Sequence, residues 1–147
     1  MSSAADFFKQ LQIDIPILER QILRDVILVE ANRFHEENFS NGGFTDVGLK
    51  KWDPRSSKDK NEKRSGNRAL LVDSSTLKDT ATRGRVVGDL VMYDFRGLVY
   101  AGVHNEGLRA GRGEGFDMPK RQFVGKSQHL ENRIKTKATA LLNKTLQ

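Results

Sequence analysis

The chain has 147 residues, no cysteine, a net charge of +6 at neutral pH and a hydrophobic fraction of 37%. That length fits one domain spanning 1–147 with a modest core, and the lack of cysteine excludes disulfides, Cys-ligated zinc and thiol catalysis. No apolar run approaches the roughly 20 residues that span a bilayer. Met1-Ser2-Ser3-Ala4-Ala5-Asp6 has no basic stretch leading into an apolar one, so the expectation is a protein made in a cytoplasm with no membrane partner.

In chain order, the clearest element is a helix from about Ile15 to Phe39. Asp14 is a good N-cap and Pro16 suits a first helical turn. Leu18, Ile22, Val26 and Val29 recur at helical spacing, with Leu23, Ile27 and Phe34 flanking them. Glu19, Arg20, Arg24, Glu30, Arg33 and Glu37 mark the opposite, solvent-facing side. Asn41-Gly42-Gly43 stops the helix, and Ala4 to Leu11 suggests a separate helical turn ahead of it.

From Thr45 to Arg68 the periodicity vanishes. Lys50 to Arg68 holds eight Lys or Arg against three Asp or Glu, which concentrates the net charge in one stretch. This reads as a flexible basic loop over about 45–68, anchored by Trp52, whose expected place is the core. Beyond Leu70-Leu71-Val72 and Leu77, the stretches Lys78–Arg83 and Val86–Tyr93 alternate like strands, with Arg83-Gly84-Arg85 as the turn of a hairpin. Asp94 to Gly97 signals another turn, and Leu98 to His104 suits either a further strand or a short helix. A glycine-rich loop, about 107–117, precedes a final helix from about Lys126 to Leu146, with Leu130, Ile134, Ala138, Leu141 and Leu142 on one face. The expected class is α+β: an antiparallel sheet packed against the long N-terminal helix and the C-terminal helix, with long flexible loops.

No constellation in the sequence carries chemistry, so no catalytic, cofactor-binding or metal-binding residue is assigned and a non-enzyme is expected. Gly125-Lys126-Ser127 ends like a phosphate-binding loop, but that motif needs a glycine where Lys120 stands; a helix start explains it better. Gly111-x-Gly113 lacks the third glycine of a dinucleotide fingerprint, Phe116 standing in its place. His35, His104 and His129 fall in separate elements at no metal-ligand spacing. Asp73-Ser74-Ser75 has no elbow glycines and reads as a turn or cap. The basic loop, with Arg109, Arg112, Lys120 and Arg121, offers nonspecific phosphate contacts to DNA, although no aromatic platforms or helix-turn-helix pattern accompany it.

Four segments in order resemble the phage virion morphogenesis family, which includes the Mu-like tail-completion proteins. They are Gly48-Leu49-Lys50-Lys51-Trp52-Asp53-Pro54; Leu70-Leu71-Val72-Asp73-Ser74-Ser75-Thr76-Leu77-Lys78-Asp79-Thr80; Val99-Tyr100-Ala101-Gly102-Val103-His104-Asn105-Glu106-Gly107; and Met118-Pro119-Lys120-Arg121-Gln122-Phe123-Val124-Gly125. The third is similar to the family's Tyr-Ala-x-x-His-x-x-Gly and the fourth to its Pro-x-Arg-x-Phe-Leu-Gly. Ser75 or Thr76 stands where the family usually has glycine, and Glu106 where it is often apolar or aromatic. The resemblance implies a structural virion subunit, made in the bacterial host cytoplasm, that completes the tail or joins it to the head. Its implied partners are copies of itself in a ring and neighbouring head–tail connector or tail proteins.

Trp52, Tyr100, His104, Gly107, Pro119, Arg121 and Phe123 are then the family-motif or interface candidates. Tyr100 and His104 share one face if their segment is helical, and Gly107 releases the chain. Pro119 biases Met118 towards extended backbone, Phe123 enters the core, and Arg121 is expected to pair with an acidic neighbour. A small non-enzymatic DNA-binding protein using the basic loop is the competing expectation.

Overall fold

The computed structural model describes residues 3–55, 69–72 and 74–145. A capping box starts the first helix: Ser3 Oγ accepts from the Asp6 N–H at 3.2 Å, and the Asp6 carboxylate accepts from the Ser3 N–H at 3.0 Å. Helix α1 runs Ala4–Gln21, continues through a π-helical stretch Ile22–Ile27, and becomes α2, Leu28–Asn41. The expected start at Asp14 is therefore corrected, and the turn over Ala4 to Leu11 is part of the same helix. Pro16 lies inside the helix; its missing N–H costs a bond to residue 12, tolerable because 14–17 are exposed to water.

Within the π-helical stretch the bonds run from residue i to i+5, as in Leu28 N–H to the Leu23 carbonyl. More residues fit each turn there than the about 3.6 of an α-helix, so the following face is displaced from the extrapolated one. Val26, Glu30, Ala31, Phe34, His35, Asn38 and Phe39 are buried, whereas Val29 is exposed. This corrects two expectations: Val29 leaves the buried stripe, and Glu30 leaves the solvent-facing side.

The class is α+β. Among the described residues the strands form three antiparallel ribbons of two strands each, not one continuous sheet. β1 (Gly43–Thr45) pairs with β2 (Leu49–Lys51), β3 (Arg85–Val87) with β4 (Leu90–Met92), and β5 (Arg109–Ala110) with β6 (Phe116–Asp117). The first ribbon occupies part of the expected flexible loop of 45–68, whose portion 56–68 lies outside the described residues. The third occupies the expected mobile glycine loop of 107–117.

Lys78–Arg83 is not a strand. Helix α3, Thr76–Thr82, buries Leu77 and Ala81 one turn apart, and packing of that face outweighs the β-preference of its threonines. The hairpin turn accordingly falls at Gly88-Asp89 rather than Arg83-Gly84-Arg85. Gly88 has φ +62°, the left-handed conformation that a two-residue hairpin needs at its first central position. Leu98 to His104 resolves as a helix, α4, Val99–Glu106, and the final helix α5 spans Gln128–Thr145.

The core gathers Phe39, Trp52, Leu77, Ala81, Ala101 and Phe123, with Leu70, Leu71, Val72, Phe95, Leu98 and Val124 packed around them. Helix α5 lies along the π stretch and α2. There it meets Glu30, only 1% exposed, whose carboxylate accepts from Arg133 at 2.7 Å and from Lys137, while Arg133 also reaches Glu37 at 2.6 Å. Burial alone would raise the Glu30 carboxyl. The hydrogen bonds and positive charges of Lys137 and Arg133 outweigh it and hold Glu30 below the usual carboxylate range.

Candidate functional site

The second, third and fourth motif segments and Trp52 meet around one irregular piece of backbone, 121–124. Its main chain has no strand partner, so side chains and loop carbonyls satisfy it, as buried polar groups require. Arg121 N–H donates to the His104 carbonyl at 2.7 Å, and the Gln122 carbonyl accepts from Trp52 Nε1 at 2.7 Å. Asn105 Oδ1 accepts from the N–H groups of Phe123 and Val124 at 3.0 and 3.1 Å. The Phe123 carbonyl takes Asn38 Nδ2 at 3.2 Å, and Asn38 Oδ1 accepts from Thr45 N–H at 3.3 Å. One asparagine from α2 and one from α4 thus lock the segment that carries Phe123.

Held this way, the Phe123 ring is 1% exposed and packs against Phe39 and Phe95 at centroid distances of 5.5 and 5.9 Å. Trp52 meets Phe39 edge-on at 5.7 Å. Both residues occupy the core, as expected. Arg121 is buried, and its guanidinium donates to the main-chain carbonyls of Asp53 and Pro54 at 3.1 and 3.2 Å. These contacts tie it to the chain leaving Trp52.

Tyr100 and His104 do share a face of α4, with ring centroids 6.4 Å apart. Gly107 ends that helix at φ +69°; a Cβ there would come within 2.9 Å of the Lys120 side chain and 3.0 Å of its backbone, so glycine serves both the turn and the close approach. Pro119 is exposed, and the preceding Met118 N–H bonds the Leu108 carbonyl at 3.1 Å, extending the β5–β6 ribbon.

Tyr100 and His104, together with Leu71, Ser74, Ser75 and Leu77, line a cavity of about 310 Å³. Leu71 and Ser75 both have φ +61°, a conformation costly for side chains with a Cβ. Burial first, and then the nearby Arg121 charge, lower the His104 pKa and favour its neutral form. Its Nδ1 is buried without a hydrogen-bond partner among the described residues. Ser74 Oγ is engaged with Thr76 Oγ1 at 2.9 Å. The cavity lining thus includes a histidine and two serines, and among the described residues no serine–histidine hydrogen bond of the kind that defines a nucleophile and its base joins them.

The other histidines are structural in their surroundings. His35 Nδ1–H donates to the Ala81 carbonyl at 2.7 Å and its ring meets Tyr93 at 4.7 Å; burial lowers its pKa. Tyr93, pushed up to about 12 by burial, donates to Asn32 Oδ1 at 2.8 Å. His129 packs near Phe34. Among the described residues, no group of three or more His, Asp or Glu is placed to hold a metal ion.

Ser127, part of the Gly125-Lys126-Ser127 stretch, caps α5: its Oγ accepts from Leu130 N–H at 3.1 Å and donates to the Thr45 carbonyl at 2.8 Å. The helix-start reading of that stretch holds. Sequence reasoning missed Asn38 and Asn105. The available signal for Asn38 was its place on the helical row Val26, Glu30, Phe34, Asn38; nothing local marks Asn105 beyond its position next to His104.

Fold and site together describe a small α+β scaffold in which the motif residues position one another around a core. Comparison of the chain with family models, curated proteins and solved structures finds no match.

Proposed function

We propose that the protein is a non-enzymatic structural subunit of a tailed bacteriophage or prophage particle, of the tail-completion or head–tail joining kind, acting by self-assembly into a ring. The resemblance of its ordered motifs supplies the class. The observation that carries the assembly reading is an apolar surface left uncovered in the single chain. Ile15 and Ile17 on α1, and Val86, Val87, Leu90 and Met92 on the β3–β4 ribbon, are all exposed. Ile17 and Val86 face a common groove of about 540 Å³ together with Arg20, Gln21, Arg24 and Gly88. Exposed apolar side chains concentrated on α1 and one ribbon, rather than scattered singly, mark an interface, and the arginines of the groove give it a polar rim.

A second copy of the chain suits this groove. Helix α1 is an 18-residue rod whose exposed Ile15 lies outside the groove lining, and a head-to-tail contact between two different patches of one chain generates a ring when the rotation closes. Neighbouring connector or tail proteins would meet the assembled ring, and its place is the virion.

Sedimentation velocity tests the interface. The wild-type protein should sediment as a closed oligomer, and the double variant Ile17→Glu, Val86→Glu as a monomer that still unfolds cooperatively, because both side chains are solvent-exposed in one chain. An oligomer unaffected by the two charges would place the interface elsewhere.

A further inference from the structure

We infer that a lysine-rimmed pocket between β2 and the 118–127 segment binds the phosphodiester backbone of double-stranded DNA, Lys50 and Lys51 of the basic stretch being joined there by Lys120 and Lys126. Four lysines from two distant stretches of sequence, Lys50, Lys51, Lys120 and Lys126, line one cavity of about 220 Å³ with Phe44, Trp52, Gly48, Gln122 and Asp46. Their convergence follows from packing. Trp52 Nε1 is bonded to the Gln122 carbonyl at 2.7 Å, the Phe44↔Lys50 and Gly43↔Lys51 pairs fix the β1–β2 register, and Ser127 Oγ ties the 118–127 segment to the Thr45 carbonyl. The cations therefore sit on a scaffold that is ordered before any ligand arrives.

The charges are largely unspent. The pocket's single carboxylate, Asp46, caps α5 through the Gln128 N–H at 2.8 Å. Lys51 leans on the Asn41 carbonyl, and Lys120 has a loose 3.7 Å contact with Glu106, both groups about half exposed. Lys50 and Lys126 have no ion-pair or hydrogen-bond partner among the described residues. A cluster of cations in one concavity concentrates positive potential there, and flexible ammonium groups suit a backbone contact without base readout. The extent of four lysines around a pocket fits a chain of phosphates better than a single one. This inference stands apart from the assembly reading, since a monomer and a ring alike would carry the pocket.

The test is fluorescence anisotropy of the full chain with a random-sequence DNA duplex, from about 50 to 200 mM salt. Lys50→Gln with Lys126→Gln is compared against a charge-matched control, Lys135→Gln with Lys144→Gln on the exposed side of α5. The pocket pair should lose about tenfold or more in affinity at the low-salt end and flatten the salt slope by about two, while the control stays within about threefold. Equal losses in both pairs, or no binding by the wild type, would overturn the assignment. Titration with inorganic phosphate at matched ionic strength separates the two sources of the anion. Little or no heat at low millimolar phosphate is expected, and binding of free phosphate as tight as that of DNA would overturn the choice of nucleic acid.

Discussion

Replacing Phe123 with Ala should destabilise the fold by about 3–5 kcal/mol, the range for truncating a fully buried aromatic ring. The upper part of that range is expected, because the ring's own backbone is clamped. Asn105 holds the N–H groups of Phe123 and Val124, Asn38 holds the Phe123 carbonyl, and Trp52 holds the carbonyl before it. A segment fixed at so many points cannot collapse into the void left by the ring, and the cost of a cavity depends on such collapse. Denaturant unfolding of wild type and F123A measures it. A change near zero would remove Phe123 from the core and with it the account of the fourth motif.

The second large effect lies between α2 and α5. Arg133→Ala should cost about 3 kcal/mol, because it leaves the Glu30 carboxylate buried with Lys137 as its remaining cation. Glu30→Ala in the same background should restore part of the loss, since the buried charge is then gone; a double-mutant cycle reads the coupling. An Arg133→Ala variant as stable as wild type would mean that the network contributes nothing.

Two buried groups on α2, His35 and Glu30, contribute to the pH dependence. His35, held neutral by burial, has a folded pKa below its unfolded value near 6.5. Its contribution is complete above that value and declines as pH falls below it, because the unfolded chain takes up the proton first. Glu30, also depressed in the folded state, contributes fully above its unfolded value near 4.5 and loses that contribution as pH falls through the folded pKa. Stability should therefore fall in two stages on acidification. The lower one should be weakened in Arg133→Ala, which removes one of the cations that hold Glu30 ionised.

Much of the scaffold was legible in local sequence. The helix stop at Asn41-Gly42-Gly43, the start of α5 at Ser127, and the burial of Trp52 and Phe123 all follow from residue chemistry that neighbours do not overrule. What failed to show depends on context. Asp14 and Pro16 look like a helix start, yet the Ser3–Asp6 capping box begins the helix earlier and carries it through the proline. The π stretch moves Glu30 into the interior and Val29 out of it, a shift that constant helical spacing cannot register. Thr76–Thr82 has the composition of a strand but is a helix, because Leu77 and Ala81 fit the α2 surface one turn apart. The candidate site divides the same way. Spacing put Tyr100 and His104 on one face only on condition of a helix, which local sequence left open, whereas the clamp by Asn38 and Asn105 and the gathering of Lys50, Lys51, Lys120 and Lys126 arise from contacts between residues far apart in the chain.

Residues that lock one another around Phe123, exposed apolar side chains on α1 and the β3–β4 ribbon, and four lysines around one pocket are features of a scaffold. We propose that this scaffold serves a virion. Quantitative mass spectrometry of particles purified after prophage induction in the source strain, with immunogold imaging of the same particles, tests it most directly. A small, fixed number of copies per particle is expected, with gold at the head–tail neck or the upper end of the tail. Intact, infectious particles that lack the protein would contradict it.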